Sequence, residues 1–204
     1  MGKTLNIGVL VSGSGSNLQA IMDACANNQL NGRVVCVISN VADAYGLERA
    51  RKAGITALHL DHRAYSGREA YDEAVVATLR EFGVELVVLA GFMRIITCVL
   101  LDAFPMAVMN IHPALLPAFP GLHAARQALE YGTKVAGCTV HFVDCGTDTG
   151  PIIMQAAVPV LEGDSEATLS ARIQKEEHRI YPEAIKLFAE GRLKVEGRRV
   201  AISG

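Results

Sequence analysis

The chain has 204 residues, half of them hydrophobic, 20% charged and 5% aromatic, with no Trp. Its 19 Lys and Arg face 21 Asp and Glu, a net charge of −2 that offers no basic field for nucleic acid or an anionic membrane. A chain of this length favours one domain and buries roughly 70% of its unfolded surface, so it needs no staples.

The N-terminal run is too short for a secretory signal, and no apolar stretch approaches the roughly 20 residues of a membrane span. Leu5–Val11 reads as a buried strand closed by Gly and Ser. Leu18, Ile21, Met22 and Cys25 give residues 17–27 a helical spacing. A strand is predicted at 34–38, a short helix at 47–53 ending at Gly54, and a weaker strand at 56–60. A longer helix covers 68–82, with Gly83 just beyond it. Strands at 86–90 and 107–111 flank a short helix near 97–103. A helix at 123–131 follows, then a strand pair at 137–143 and 152–160 around a polar loop. Residues 165–190 read as largely helical, and 192–200 as a closing strand or hairpin.

Apolar strands alternating with helices imply crossovers and a parallel sheet covered on both faces. The expected fold is therefore α/β and Rossmann-like: a mostly parallel twisted sheet, an antiparallel addition, and helices on both faces. In such sheets ligands bind beyond the carboxyl ends of the strands, which directs attention to the loops after Val11, Ala90 and Ile111. The five cysteines, Cys25, Cys36, Cys98, Cys138 and Cys145, are scattered and lack Cys-x-x-Cys spacing. They read as reduced thiols of a cytoplasmic protein.

Ser12-Gly13-Ser14-Gly15-Ser16-Asn17 joins the first strand to the first helix. It fails the dinucleotide fingerprint, because Leu18 stands where a third Gly belongs, and it lacks the Walker lysine. A helix start with flexible glycines still suits a phosphate group, and Ser16 with Gln19 has capping-box spacing. Asn110 and His112 lie two apart on a strand, hence on one side, with Cα atoms about 6.6–6.8 Å apart. An amide and an imidazole so placed can hold one carbonyl, as oxyanion donor and proton carrier. The loop 144–151 offers a carboxylate to orient His112 and favour its charged form. Spacing does not choose between Asp144 and Asp148, and a solvated turn explains either residue. Phe92-Met93-Arg94-Ile95-Ile96 makes an apolar lip with one cation. His59 and His62 offer no tetrahedral ligand set for zinc. His123 reads as a surface residue, and His141 shares a strand face with Thr139 behind the site. Glu176-Glu177-His178 reads by default as a solvated helix face.

Together these segments resemble the folate-dependent formyltransferase family over nearly the whole chain. The resemblance is carried by Val11–Leu18, Leu89–Arg94, Asn110–Pro117, Gly137–Val143 and Asp148–Ile152. The first loop and Phe119-Pro120-Gly121-Leu122-His123 look specific to the branch acting on glycinamide ribonucleotide. The resemblance implies formyl transfer from 10-formyltetrahydrofolate, as co-substrate and without a metal, to the amine of that ribonucleotide. It implies that Asn110, His112 and Asp148 are the catalytic trio, which resolves the Asp question. Gly15, Ser16 and Asn17 would hold the substrate phosphate, and Gln174, Lys175, Glu176 and Glu177 the ribose and glycinamide. Arg68, Met93, Arg94, Ile95, Ile96 and Asn110 would line the folate site, with Asp144, Cys145, Gly146, Thr147 and Asp148. Ser14 and the Cys145-Gly146-Thr147 stretch depart from some relatives without removing a catalytic group.

The implied partners are small molecules, with no nucleic acid or membrane, for a single domain over 1–204 acting as a monomer or homodimer. Small anions need only one helix terminus or one or two arginines such as Arg68 and Arg94. A 10-formyltetrahydrofolate hydrolase is the alternative; it usually carries an N-terminal regulatory domain, for which a first strand at Leu5 leaves no room. A relative acting on tRNA would extend further at its C-terminus, and a binder without catalysis is disfavoured by the intact trio.

Overall fold

A computed structural model describes residues 3–204. They form two compact units, with the boundary between Asn110 and Ile111, inside one strand. In the first unit β1 (Leu5–Val11), α1 (Ser16–Ala26), β2 (Gly32–Ser39), α2 (Tyr45–Lys52) and β3 (Thr56–His59) follow in turn. A short 3-10 turn at His62–Ala64 leads to α3 (Arg68–Glu81), β4 (Leu86–Leu89), α4 (Cys98–Ala103) and β5 (Val108–His112).

Strand order in this unit is β3-β2-β1-β4-β5, and every pairing is parallel. Parallel neighbours cannot be joined by a tight hairpin, so helices carry the chain from one to the next. Ile7, Val9, Leu10 and Val11 of β1 are fully buried, as are Val87 and Val88 of β4. This is the near-continuous apolar content of a strand covered on both faces. Gly8 sits where a Cβ would lie 2.5 Å from Leu79 Cδ2 on α3, so the strand and helix pack closer than any side chain allows. The chain builds β2 and β3 outward from one side of β1 and β4 and β5 from the other. Adjacent β1 and β4 therefore send their following crossovers in opposite directions, which opens a crevice at their carboxyl ends.

The second unit contains α5 (Ala124–Tyr131), β6 (Val135–Phe142), β7 (Ile152–Pro159), α6 (Glu166–Ala189), β8 (Leu193–Glu196) and β9 (Arg199–Ile202). β6 and β7 are antiparallel, β9 runs parallel to β7, and β8–β9 is a hairpin turning at Gly197 with φ 61°. α6 packs on β6 and β7 through Leu169, Ile173, Ile180, Tyr181, Ala184 and Ile185. Ser165 caps it: its hydroxyl accepts from the Thr168 N–H while the Thr168 hydroxyl accepts from the Ser165 N–H. The fold is α/β and Rossmann-like, mostly parallel with antiparallel strands and helices on both faces.

All five cysteines are free. Burial pushes the thiols of Cys36 and Cys138 up to about 12, and Cys25 to about 11, so these three are inert. Among the described residues no helix is long and apolar enough to cross a membrane. Ile7 is fully buried in the central strand, and Ile7→Ala should cost about 2–5 kcal/mol, read as a lowered urea midpoint.

Candidate functional site

The loop after β1 takes its shape from Gly15, the residue before α1, with φ 68° in the left-handed region. A Cβ there would sit 2.6 Å from Gly46 Cα, so conformation and space both demand glycine. Gly13, by contrast, faces open space. The capping box expected from Ser16 and Gln19 does not form, because Ser16 is already helical and no side chain caps the helix. Gln19 instead faces Arg49 and Asp23. Its side-chain oxygen accepts from Arg49 Nη1 at 3.2 Å, and its amide donates to Asp23 at 2.9 Å. Arg49 Nε also donates to the Ser14 carbonyl at 2.8 Å, and the Gly46 N–H donates to the Gly13 carbonyl at 2.9 Å. α2 thus braces the loop that leads to Gly15, Ser16 and Asn17.

The loop after β4 begins at Gly91 and ends at Thr97. Asp72, on the buried side of α3, accepts from both the N–H and the hydroxyl of Thr97, at 2.5 and 2.8 Å. Burial pushes the Asp72 carboxyl up, and the two Thr97 bonds oppose that shift. Arg94 lies over the Tyr71 ring, 5.3 Å from its centroid, an arrangement that holds a cation against an aromatic face. Burial likewise pushes the Tyr71 phenol up to about 12. Met93 and Ile95 point outward, 66% and 61% exposed, so the loop offers apolar side chains on a frame fixed at its ends. Arg68 is exposed at the first residue of α3.

Asn110 ends the first unit on β5, its backbone in register with Leu89 of β4. In the second unit His112 is buried, with its ring set between two acceptors. Nε2 donates to the Phe119 carbonyl at 2.8 Å, and Nδ1 lies 3.3 Å from Asp148 Oδ2. Both partners are acceptors, so the ring meets an acceptor at each nitrogen. The same Asp148 oxygen accepts from the Gly121 N–H at 2.8 Å. Residues 119–121 therefore engage His112 through a carbonyl and Asp148 through an N–H. Asp148 has φ 55°, a left-handed conformation that Asp tolerates better than most residues.

Asp144 is used differently. Its Oδ1 accepts from the Gly146 N–H at 3.1 Å and from the Thr149 hydroxyl at 2.6 Å, folding the loop on itself. The structure thus brings Asp148, not Asp144, to His112. Cys145, Gly146 and Thr147 form the exposed tip of that loop. Gly150 anchors its base, where a Cβ would lie 1.8 Å from the Phe142 carbonyl oxygen.

Behind these groups, β6 presents Thr139 and His141, both buried. The Thr139 hydroxyl donates to the Ala114 carbonyl and accepts from the Leu116 N–H and the Gln155 amide, fixing the segment after His112. His141 Nδ1 donates to the Phe142 carbonyl at 2.8 Å, and Nε2 lies 3.8 Å from Asp148 Oδ1. Burial pushes the His141 pKa down, towards the neutral ring.

On α6, Gln174 and Lys175 are exposed and Glu176 pairs with Arg179 at 2.6 Å. Glu177 is buried among the apolar stripe, which corrects the reading of this stretch as a solvated face. His123 is a surface residue, 3.4 Å from Glu166. Among the described residues no group of three His, Cys, Asp or Glu side chains is placed to hold a metal.

Three contributors went unread in the sequence: Arg49, Asp72 and the Phe119 carbonyl. Asp72 carries a signal, a carboxylate within the helical stripe Tyr71, Val75, Val76 and Leu79. Arg49 and the backbone carbonyl carry none.

Comparison with known proteins places this geometry in context. Residues 5–185 match the formyl transferase family model. The phosphoribosylglycinamide formyltransferase of Escherichia coli K12 is 50% identical over 200 residues, 98% of this chain and 94% of that protein. The human trifunctional purine biosynthetic protein adenosine-3 is 46% identical over 93% of this chain, which spans 19% of that protein's length. A crystal structure of glycinamide ribonucleotide transformylase 1 from Symbiobacterium toebii superposes with a TM-score of 0.99 at 63% identity, covering 100% of this chain and 96% of that one.

The buried neutral His141 sets a sign for pH dependence. Its folded pKa is lowered below the ordinary value of about 6.5, so the unfolded chain binds the extra proton first. Its stabilising contribution is complete above that value and declines as pH falls towards the folded pKa. Urea midpoints should drop between pH 7 and 5, and His141→Gln should make the decline shallower.

Proposed function

The chain belongs to the formyl transferase family, and from that premise we propose that it transfers a formyl group from 10-formyltetrahydrofolate to the amine of N1-(5-phosphoribosyl)glycinamide, a step of de novo purine synthesis. The observation that carries the reading to a mechanism is the buried His112 ring set against Asp148, on the strand that also bears Asn110. Both units act in this reading as one formyltransferase domain over residues 1–204. The setting is cytoplasmic, and the partners are small molecules.

Transfer forms a bond between the glycinamide nitrogen and the formyl carbon and breaks the bond from that carbon to N10 of the folate. One proton passes from the first nitrogen to the second, and negative charge develops on the formyl oxygen. Asn110 donates to that oxygen from its side-chain amide. His112 donates from Nε2, where the formyl oxygen replaces the Phe119 carbonyl. Asp148 supplies the counter-charge on Nδ1 and fixes the ring. His112, or a water it holds, carries the proton to N10. These donors act where charge appears in the transition state, the most effective place for electrostatic catalysis.

The binding assignments follow the same reading. Gly15, Ser16 and Asn17 hold the phosphate at the start of α1, where the backbone N–H groups point outward and the helix dipole favours an anion. Gln174, Lys175, Glu176 and Glu177 reach the ribose and glycinamide. The folate lies along Met93, Arg94, Ile95 and Ile96, with Arg68 for its carboxylates and Asn110 and 144–148 about its reactive end. The fit of a flat, partly apolar ligand is supported by the outward Met93 and Ile95 on a loop pinned by Asp72.

Two measurements test this. Tetrahydrofolate release from 10-formyltetrahydrofolate should depend on added glycinamide ribonucleotide; equal release without it would indicate a hydrolase. His112→Ala and Asp148→Asn should each lower kcat well over tenfold, since one lost oxyanion donor typically costs ~10²–10³. Both should still bind tetrahydrofolate. Near-normal turnover in either variant removes that residue from the mechanism.

A further inference from the structure

One side chain in the first unit belongs to neither binding loop as assigned, yet it joins them. Ser12 is the first residue beyond β1. Its hydroxyl donates to Asn40 Oδ1 at 2.6 Å and accepts from the Met93 N–H at 2.8 Å. Its own N–H donates to the Gly91 carbonyl at 3.0 Å. Asn40 is 9% exposed and follows Ser39, whose hydroxyl closes a turn with Val41 by donating to its carbonyl and accepting from its N–H. The Ser12 hydroxyl thus connects the carboxyl ends of β2, β1 and β4, three neighbouring strands.

Each loop is otherwise held from its far side. The β1 loop is braced by Arg49 and Gly46, and the β4 loop is pinned at Thr97 by Asp72. Between those supports, the bonds of Ser12 tie one loop to the other across the crevice. From this geometry we propose that Ser12 is a positioning residue that couples the two ligand loops, so that ordering of the Gly15–Asn17 segment by an anion is transmitted to the Met93–Ile96 lip. The inference rests on the functional reading above, in which the first loop takes a ribonucleotide phosphate and the second a folate.

The chemistry of the joint is specific to a hydroxyl. A hydroxyl both donates and accepts, and Ser12 uses both capacities. Alanine removes the link and leaves the Met93 N–H and Asn40 without it; threonine retains the hydroxyl. The Met93 bond is exposed and the Asn40 bond part-buried, so water can replace part of what is lost, and loss of the joint is worth roughly 2- to 10-fold in an equilibrium constant. Coupling between two bound ligands is reciprocal, so loss of the joint must weaken transmission in both directions.

The test follows Met93 amide hydrogen exchange by NMR in the full chain, with ligand affinities measured by calorimetry. Glycinamide ribonucleotide alone, without folate, should slow exchange at Met93 in the wild type by several-fold. In Ser12→Ala, Met93 should exchange at least twofold faster in the free protein and should no longer respond to the ribonucleotide. Tetrahydrofolate should bind at least twofold more weakly to that variant, and the ribonucleotide should no longer strengthen its binding. Ser12→Thr should restore both responses. Ser12→Cys, which keeps the volume with a weaker donor and acceptor, replaces alanine if Ser12→Ala fails to fold.

The inference is overturned if the wild type binds both ligands but the ribonucleotide leaves Met93 exchange unchanged. It is equally overturned if Ser12→Ala, or its cysteine replacement, responds as the wild type does. A wild type that binds neither ligand refutes the functional reading itself, a result separable from both of these.

Discussion

The parallel pairing of β1 with β2 on one side and β4 on the other is the constraint from which the first unit follows. Parallel strands end together, so the loops that leave them emerge at one edge. With β1 and its neighbours buried on both faces, their backbone groups have no water to fall back on and must stay in the ladder. Polar work therefore gathers at the strand ends and just beyond them: Ser12 after β1, Ser39 and Asn40 at the end of β2, Gly91 after β4 and Asn110 near the end of β5. The shortness of β4, four residues of which all are buried, leaves the following loop to start at the edge itself.

The second unit solves a different problem, that of holding an imidazole in a fixed orientation within a buried environment. His112 and His141 are both buried, yet they are used in opposite ways. His112 has an acceptor at each nitrogen, which fixes the orientation of the ring. His141 donates to a carbonyl from one nitrogen, and burial favours its neutral form. Asp148 faces both rings, and a charged His141 would compete with His112 for that carboxylate. A neutral His141 leaves Asp148 to His112. Thr139 and Gln155, which hold the backbone of residues 114–116, keep the segment after His112 from relaxing this arrangement.

Much of this was legible in the chain itself. The apolar strands, helical spacings and glycine stops placed the α-helices and the strands up to β7 to within a few residues, because burial on both faces writes itself as uninterrupted Val, Leu and Ile. The 3-10 turn at His62–Ala64 carried no such signal, and the end of the chain stayed open between one strand and a hairpin. The pairing of Asn110 and His112 on one strand was legible for the same reason of period. Spacing alone did not choose between Asp144 and Asp148, since both lie in a polar loop where either suits a turn, and it was the family resemblance that pointed to Asp148. Only the fold shows that Asp144 commits its oxygen to Gly146 and Thr149. The capping box failed because its rule is local, whereas Gln19 answers to Arg49, thirty residues away. The Phe119 carbonyl on His112 had no chance of being read, as every residue carries the same carbonyl. Glu177 had a legible clue, its place in the spacing of Ile173, Ile180 and Tyr181, that charge alone obscured.

The left-handed backbone at Asp148 has a consequence for how its chemistry can be separated from its shape. Most L residues enter that conformation at a cost of about 1–2 kcal/mol, whereas Asp and Asn enter it readily. Alanine at this position would change charge, hydrogen bonding and loop geometry together, and its effect could not be divided among them. Asparagine keeps the outline of the side chain and the ease of the turn while removing the negative charge. The conformation of a single loop residue thus decides which substitution is a clean probe of electrostatics and which one confounds it with folding.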